Sequence, residues 1–211
     1  MIQRDAVAAA SENYDLIIVG GGIYGATLAL ESSRRGLKAL LLDRGDFGNA
    51  TTWHSLRFVH GGFRYLRTLD VRRLRESSNE RRWFLRNFPD LVHPTPVRLL
   101  LQGHGLHRPS LLTAAGIVND ILTWDRNRDV DMACHVPRVH VDSATTTRAA
   151  VPSLPVSQGT RSVVWHDGVM IDSARLLIEI LRWATAAGAR CLNYADVTSL
   201  IHDKGAVRGV R

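Results

Sequence analysis

Residues 15–43 read DLIIVGGGIYGATLALESSRRGLKALLLD. The apolar run from Asp15 to Val19 is typical of a buried parallel strand. Ile23 to Arg35 carries apolar residues on one side of a predicted helix, and Gly36 is a plausible stop. Lys38 to Asp43 is a second buried strand. Together these elements predict a βαβ unit of about thirty residues.

The glycines between the first strand and the helix match the pattern G-x-G-x-x-G. Gly20 permits a sharp turn, Gly22 leaves room for a pyrophosphate, and Gly25 allows close packing of helix on strand. The free N–H groups at the start of the helix then face the phosphates. Asp43 ends the next strand, where a carboxylate can accept hydrogen bonds from ribose hydroxyls. The pattern therefore predicts an adenine-dinucleotide site, and the alternative is a tight strand–helix turn without a ligand.

Composition is that of an ordinary globular protein: 211 residues, 45% hydrophobic and 22% charged. The apolar runs fall well short of the ~20 residues that span a bilayer. Residues 1–12 read as an N-terminal tail without a secretory signal, which indicates a cytoplasmic protein. Cys134 and Cys191 form no CxxC pattern and fit a reducing compartment. The net charge of +7 comes mainly from arginine and favours phosphate-bearing or acidic ligands, whereas no nucleic-acid-binding motif is present.

Further along, the sequence predicts alternating helices and strands. The helices are Leu69–Phe88, Ser110–Trp124, Asp142–Ala150 and Asp172–Ala187, and the strands are Thr95–Leu101, Ser162–His166, Arg190–Tyr194, Asp196–His202 and Ala206–Arg211. The last strand runs to the end of the chain without a closing element, so we expect a fragment.

A second signature follows the acidic residue: residues 45–66 read GDFGNATTWHSLRFVHGGFRYL. Together with the glycine turn, this stretch resembles the FAD-dependent glycerol-3-phosphate dehydrogenase family, among the D-amino-acid-oxidase-like flavoproteins. Asp167 to Asn193 is similar to a later segment of the same family. The resemblance covers most of Asp15 to Arg211 and is looser between Gly103 and Thr160.

The resemblance implies an α/β fold: a Rossmann-like FAD-binding domain with a βαβ start and a parallel sheet, and part of a second, β-sheet substrate domain. It places the FAD-binding domain at residues 13–211, with the substrate domain inserted around 90–165 and the C-terminal half missing. The implied reaction is hydride transfer to flavin from a small hydroxylated substrate, with or without a phosphate group. The implied FAD contacts are Gly20, Gly22, Ile23, Gly25, Asp43, Arg44, Thr51, Thr52, Ser55, Arg57, His60, Gly61 and Gly62. The implied catalytic residues are His60, Arg64 and Tyr65, and no metal is expected.

The sequence departs from the family at three places. Trp53 to Leu56 replaces a serine-rich turn with bulkier residues, Arg57 replaces a lysine, and Asp43 stands where glutamate is commoner. These departures bear on the substrate more than on the cofactor. The electron acceptor, quinone or oxygen, stays open.

Other interpretations remain at this point. The chain is alternatively a truncated or degenerate dinucleotide-binding module without catalysis, or an amine- or amino-acid-oxidising flavoenzyme. An NAD-dependent dehydrogenase explains the glycine turn but not the second signature. His60 either moves a proton or only holds its turn. The arginines of the helix at Leu69–Phe88 either attract anionic lipids on the inner face of the membrane or form a solvated helix face paired with Glu76 and Glu80. His104 and His107 have a spacing that metals sometimes use, and the alternative is a surface loop.

Overall fold

The computed structural model describes residues 2, 4–101 and 109–211. The chain divides into two compact units. The first unit comprises Met1–Leu56 and Asp172–Arg211, and the second comprises Arg57–Ile171. The insertion that we predicted at about residues 90–165 lies within this second unit, and His104 and His107 lie outside the described residues.

The first unit is built on a parallel three-stranded sheet in the order β1-β2-β7. Its elements are α1 (Ala6–Ala10), β1 (Leu16–Val19), α2 (Ile23–Arg34), β2 (Ala39–Leu42), α6 (Ser173–Ala186) and β7 (Arg190–Leu192), followed by the antiparallel pair β8 (Leu200–Asp203) and β9 (Ala206–Val210). In β1 and β2 the register pairs Leu16 with Ala39 and Val19 with Leu42. The predicted βαβ unit is present, and helix α1 lies within the segment that we predicted as a tail.

Helix α6 packs as its sequence pattern predicts. Its side chains at Leu176, Leu177, Ile180, Leu181 and Ala184 are all buried. The helix begins after Asp172, whose carboxylate accepts the Arg175 N–H at 3.0 Å. This amphipathic helix packs against α2 and is followed by β7, which is the third parallel strand.

The second unit is built on an antiparallel sheet in the order β3-β6-β4, in which β5 also pairs with β6. Its elements are β3 (Phe58–Val59), a 3₁₀ helix (Phe63–Thr68), α3 (Val71–Asn87), β4 (Val92–Leu100), α4 (Pro109–Leu122), a 3₁₀ helix (Met132–Cys134), β5 (His140–Asp142), α5 (Ala144–Ala150) and β6 (Ser162–Met170). Strand β4 starts earlier than predicted and includes Pro94 and Pro96. An edge strand tolerates proline because one side of it needs no ladder donor.

The arginines of α3 divide between a solvated face, which was one of our two interpretations, and the interior of the unit. Arg72, Arg73 and Arg86 are exposed, and Arg72 pairs with Glu76. Arg75 Nη1 donates to Asp125 Oδ1 and Arg82 Nη1 donates to Asp125 Oδ2, both at 2.6 Å. The Arg75 hydrogen bond is the main reason that the pKa of Asp125 falls to about 2, against the opposing effect of burial. Arg81 is buried with 4% of its surface exposed. Half of the helix's six arginines are therefore used inside the second unit.

Among the described residues, no helix is both long enough and apolar enough to cross a bilayer.

Candidate functional site

A cleft of about 820 Å³ opens in the first unit where β1 and β2 end. Its lining comes from the glycine turn, the start of α2, the loop after β2 and the segment that follows β7. The lining residues include Gly20, Gly22, Ile23, Gly25, Asp43, Arg44, Thr51, Thr52 and Asp196. The carboxyl ends of parallel strands are where ligands bind in open α/β sheets.

The glycine turn is tight for two separate reasons. Gly20 has φ = 108°, in the left-handed region that L side chains rarely adopt. A Cβ on Gly25 would overlap the carbonyl oxygen of Gly20 and lie 3.1 Å from Leu41 Cδ1. Helix α2 therefore starts directly against the end of β1, as we predicted for close helix–strand packing.

Asp43 holds the two loops that border the cleft. One carboxylate oxygen accepts the Gly21 N–H at 2.6 Å, and the other accepts the Gly45 N–H at 2.8 Å. A carboxylate offers about four lone-pair sites, so about two remain for a ligand. The acid that we predicted to bind ribose also fixes the turn itself.

Thr52 connects the second signature to the start of α2. Its hydroxyl oxygen accepts the Ile23 N–H at 3.0 Å. The first N–H groups of a helix have no partner within the helix, so Thr52 satisfies one of them and leaves its own hydroxyl hydrogen free to donate. A Cβ on Gly22 would lie 3.0 Å from the same Thr52 oxygen, which is tighter than nearly all real contacts of this kind.

The predicted FAD contacts divide between the two units. The eight residues Gly20, Gly22, Ile23, Gly25, Asp43, Arg44, Thr51 and Thr52 all line the cleft. Ser55 belongs to the first unit and donates its hydroxyl to the Thr52 carbonyl at 3.2 Å. The remaining predicted contacts, Arg57, His60, Gly61 and Gly62, belong to the second unit, as do the predicted catalytic residues Arg64 and Tyr65.

A buried carboxylate organises the predicted residues of the second unit. Asp167, with 5% of its surface exposed, accepts the Gly61 N–H at 2.6 Å through Oδ1. Its Oδ2 accepts the Trp165 Nε1–H at 3.2 Å and lies 3.4 Å from His60 Nδ1. His60 itself is 43% exposed and stacks on Phe58, with ring centroids 5.8 Å apart. One acid thus joins the His-Gly-Gly run to the central strand.

Arg81 supplies the cation beside this carboxylate. Its Nη1 lies 3.7 Å from Asp167 Oδ1 and donates to the His166 carbonyl oxygen. Burial lowers the pKa of Arg81 to about 10, so the side chain still carries its charge at neutral pH. A Cβ on Gly61 would overlap the Arg81 guanidinium, which explains why glycine stands there.

Arg64 and Tyr65 lie together in the 3₁₀ helix. The Arg64 guanidinium donates to the Tyr65 hydroxyl at 3.0 Å and its Cζ lies 5.0 Å from the centre of the Tyr65 ring. Arg64 is exposed. The pair presents a cation and a hydroxyl side by side, which is a combination suited to an anionic group.

Sequence reasoning missed three residues of this second cluster: Arg81, Trp165 and Asp167. Arg81 was grouped with the other arginines of its helix, and Asp167 was noted only as the start of a segment. The strand register accounts for Asp167. Phe58 pairs with Val169 and Val59 with Gly168, so the next position along the ladder sets His60 opposite Asp167.

Comparisons with known proteins identify relatives of this chain. The family described as FAD dependent oxidoreductase matches residues 15–211. The aerobic glycerol-3-phosphate dehydrogenase of Bacillus subtilis (strain 168) is 34% identical over 201 residues, which cover 94% of this chain and 34% of the relative. The enzyme of the same name from Staphylococcus haemolyticus (strain JCSC1435) is 34% identical over 202 residues. The chain spans about a third of the length of these relatives.

Two solved structures have folds similar to that of this chain. The glycerol-3-phosphate dehydrogenase from Bacillus halodurans complexed with FAD aligns with a TM-score of 0.62 and 26% identity over 96% of this chain and 31% of that chain. L-proline dehydrogenase from P. horikoshii aligns with a TM-score of 0.66 at 18% identity, over 94% of this chain and 49% of that chain. The second likeness establishes the fold alone.

Proposed function

The chain belongs to the FAD dependent oxidoreductase family, and we propose that its first unit binds the adenine-dinucleotide part of FAD in a dehydrogenase for a small hydroxylated substrate. Glycerol 3-phosphate is the substrate we propose, because the relatives at 34% identity carry that name. The cleft at the glycine turn is the observation that carries the proposal. Its 820 Å³ fall within the range of about 300–1,000 Å³ that small-molecule sites occupy.

The chemistry of the cleft fits such a ligand. The start of α2 offers backbone N–H groups and the positive end of a helix dipole to a pyrophosphate. Asp43 keeps lone pairs for ribose hydroxyls after binding the Gly21 and Gly45 amides. Arg44, Thr51 and Thr52 complete the proposed contacts from the loop after β2. Ser55, Arg57, Gly61 and Gly62 are further proposed contacts, on the resemblance alone.

In the proposed reaction FAD, when bound, supplies the two-electron oxidant. The residues of this chain bind and orient the substrate and move its proton. We propose that His60 accepts the proton of the substrate hydroxyl, because imidazole is a suitable base near neutral pH. Arg64 and Tyr65 hold the substrate phosphate through the guanidinium and the phenol, which already lie 3.0 Å apart.

The first test is a calorimetric titration of FAD into the 211-residue chain and into its Gly22→Val variant. Valine adds a Cβ 3.0 Å from Thr52 Oγ1 and two methyl groups beyond it. We expect FAD affinity to fall at least about tenfold, which is about 1.4 kcal/mol. Gly159→Val is the matched control, because no atom lies within 4 Å of a Cβ on Gly159. Equal affinity in both variants and the wild type would refute the cleft assignment.

The second test is anaerobic addition of glycerol 3-phosphate to the FAD-loaded chain. Loss of the yellow flavin absorbance supports the proposed function. A yellow protein that bleaches with an amino acid instead identifies an amine-oxidising enzyme, and one that bleaches with neither substrate is a binding module. A colourless protein that binds NAD contradicts the FAD proposal. Reoxidation by oxygen or by a soluble quinone then identifies the electron acceptor.

We propose separately that the second unit associates peripherally with an anionic membrane surface, on the inner face of the membrane. The arginines of α3 give little support, because half of them are engaged inside the unit. The support comes from α4 and a residue just beyond it: Ile117, Ile121 and Trp124 expose 58%, 66% and 76% of their surfaces. These residues line a groove together with the charged side chains of Asp120, Arg126 and Arg138. Interfacial helices combine such apolar faces with basic residues.

Sedimentation with vesicles tests this proposal. We expect the chain to co-sediment with phosphatidylserine-containing vesicles at low salt and to remain in the supernatant with phosphatidylcholine vesicles. Trp124→Ala should weaken the association, and Leu154→Ala, at an exposed position in a different segment of the unit, should leave it unchanged. Failure of the wild type to sediment with either kind of vesicle would dismiss the membrane role.

A further inference from the structure

The contact between His60 and Asp167 brings an exposed imidazole against a buried acid. His60 Nδ1 lies 3.4 Å from Asp167 Oδ2, while the other carboxylate oxygen is held by the Gly61 N–H at 2.6 Å. Backbone pairing fixes the relation, since β3 pairs with β6 up to the residue before His60. The backbone ladder therefore sets His60 opposite Asp167.

Asp167 is surrounded by donors. The Gly61 backbone and the Trp165 indole each donate an N–H, and the buried Arg81 cation lies 3.7 Å away. An ionised carboxylate accepts hydrogen bonds and has no proton to give. The two N–H donors and the Arg81 cation all favour the carboxylate of Asp167 over its carboxylic acid, so Asp167 acts as an acceptor.

The acceptor character of Asp167 decides the protonation pattern of His60. A neutral imidazole carries one proton, on either Nδ1 or Nε2, and the hydrogen bond at one nitrogen selects the tautomer. A bare Nδ1 lone pair facing Asp167 Oδ2 would be repelled, whereas an Nδ1–H is attracted. The proton therefore belongs on Nδ1, and Nε2 keeps a free lone pair.

We propose that Asp167 is a positioning residue that holds neutral His60 in the Nδ1–H tautomer, so that Nε2 is the nitrogen available to accept a proton. Its catalytic consequence rests on the proposed function. There the substrate O–H bond breaks as an N–H bond forms at His60 Nε2, and the O–H electron pair becomes the second bond of a carbonyl group. Bound FAD would accept the hydride that leaves the same carbon. A hydrogen-bond donor in place of Asp167 Oδ2 would instead select the Nε2–H tautomer, in which Nε2 has no lone pair to accept the substrate proton.

The tautomer can be measured without any turnover. The chain is labelled with ¹⁵N at its nine histidines, and long-range ¹H–¹⁵N spectra are recorded about two pH units above the ordinary histidine pKa of ~6.5. The His60 signals are assigned by their loss in His60→Gln. We expect wild-type His60 to show the pattern of a protonated Nδ1 and a bare Nε2. A predominant Nε2–H form, or an equal mixture of the two, would overturn the proposal.

Two variants distinguish a specific effect of Asp167 on the His60 tautomer from a general disturbance of the structure around it. Asp167→Asn keeps one oxygen for Gly61 and turns an NH₂ donor toward His60, so the Nδ1–H tautomer should be lost. Trp165→Phe removes the other donor to Oδ2 and keeps an aromatic ring against Phe63, so the Nδ1–H tautomer should persist. Loss of the Nδ1–H tautomer in Trp165→Phe, or its persistence in a folded Asp167→Asn, would contradict the proposal that Asp167 selects the tautomer of His60. If Asp167→Asn does not fold, the wild-type spectrum still decides.

Activity then tests the consequence separately. In FAD-loaded protein that oxidises glycerol 3-phosphate, Asp167→Asn should lower kcat by at least about 100-fold, in the range that general-base catalysis contributes. A lost tautomer with unchanged kcat would leave Asp167 as the positioning group but remove His60 from proton transfer. An inactive wild type with the expected tautomer would instead reject the proposed substrate and leave the tautomer assignment standing.

Discussion

Gly25→Ala tests whether the start of α2 must lie directly against the end of β1. The new Cβ overlaps the Gly20 carbonyl oxygen and meets Leu41 Cδ1 at 3.1 Å. The Gly20 carbonyl belongs to the backbone, and Gly20 is tied to β2 by its own N–H, which donates to the Leu42 carbonyl at 2.8 Å. Relief therefore requires α2 and the end of β1 to separate by more than about 1 Å in a closely packed interior.

Two effects of opposite sign set the magnitude. Alanine is better than glycine inside a helix by about 1 kcal/mol. Overpacking costs about 1–3 kcal/mol, and a backbone clash belongs at the upper end because no side chain can turn away. We therefore expect the free energy of unfolding to fall by about 2 kcal/mol. The displaced N–H groups should also raise the Kd for FAD at least about tenfold.

Urea unfolding and FAD titration measure the two effects in the same preparation. Gly45→Ala is the matched control within the first unit, since its Cβ would lie 3.9 Å from Asn49 Nδ2 and from Asp43 Oδ1. It keeps the N–H that donates to Asp43, so its stability should stay within about 0.5 kcal/mol of the wild type. A Gly25→Ala protein as stable as wild type, with unchanged FAD affinity, would refute the close approach of helix and strand.

Three further predictions follow from buried charges and thiols. Hydrogen bonding, chiefly from Arg75, lowers the pKa of Asp125 from 3.8 to about 2, so about 2 kcal/mol of stability is present above pH 4 and is lost as the pH falls toward 2. Urea titrations across this range should show a shallower loss for Asp125→Asn than for the wild type. Burial raises the pKa of Cys191 to about 11, so mass-spectrometric mapping should find it unlabelled by iodoacetamide until the chain is unfolded. Arg81→Met leaves the Asp167 charge buried without its cation and should lower the free energy of unfolding by about 3–5 kcal/mol, and a loss below about 1 kcal/mol would contradict the pairing.

Local patterns predicted the helices and strands of the first unit well because each of them carries its signal within its own run of residues. The run from Asp15 to Asp43 gives strand, turn, helix and strand, and every boundary lies within one residue of the structure. The apolar face of α6 followed from its spacing for the same reason. Periodicity and glycine placement are local properties, so sequence alone determines them.

The second unit was harder because its contacts join distant segments. The short strand β3 carries no periodic signal, and its pairing with β6 spans about a hundred residues of sequence. Prolines at 94 and 96 also hid the start of β4, which an edge position tolerates. Arg81 resembles its neighbouring arginines in sequence, and only the fold distinguishes its buried side chain from the exposed Arg72.

Asp43 and Asp167 each hold a nearby glycine in place, so an acid paired with a glycine has a structural role that needs no ligand. Each carboxylate follows or lies within the central strand of its sheet, and each accepts a glycine N–H at 2.6 Å, from Gly21 and Gly61 respectively. The acid fixes the loop before a ligand arrives, and the glycine leaves space for a neighbouring side chain. A bare turn would need the same residues, so the pattern alone cannot separate a binding site from a fixed loop. What separates them in the first unit is the cleft beside Asp43, because a loop held only for its own stability has no need to border so large a space.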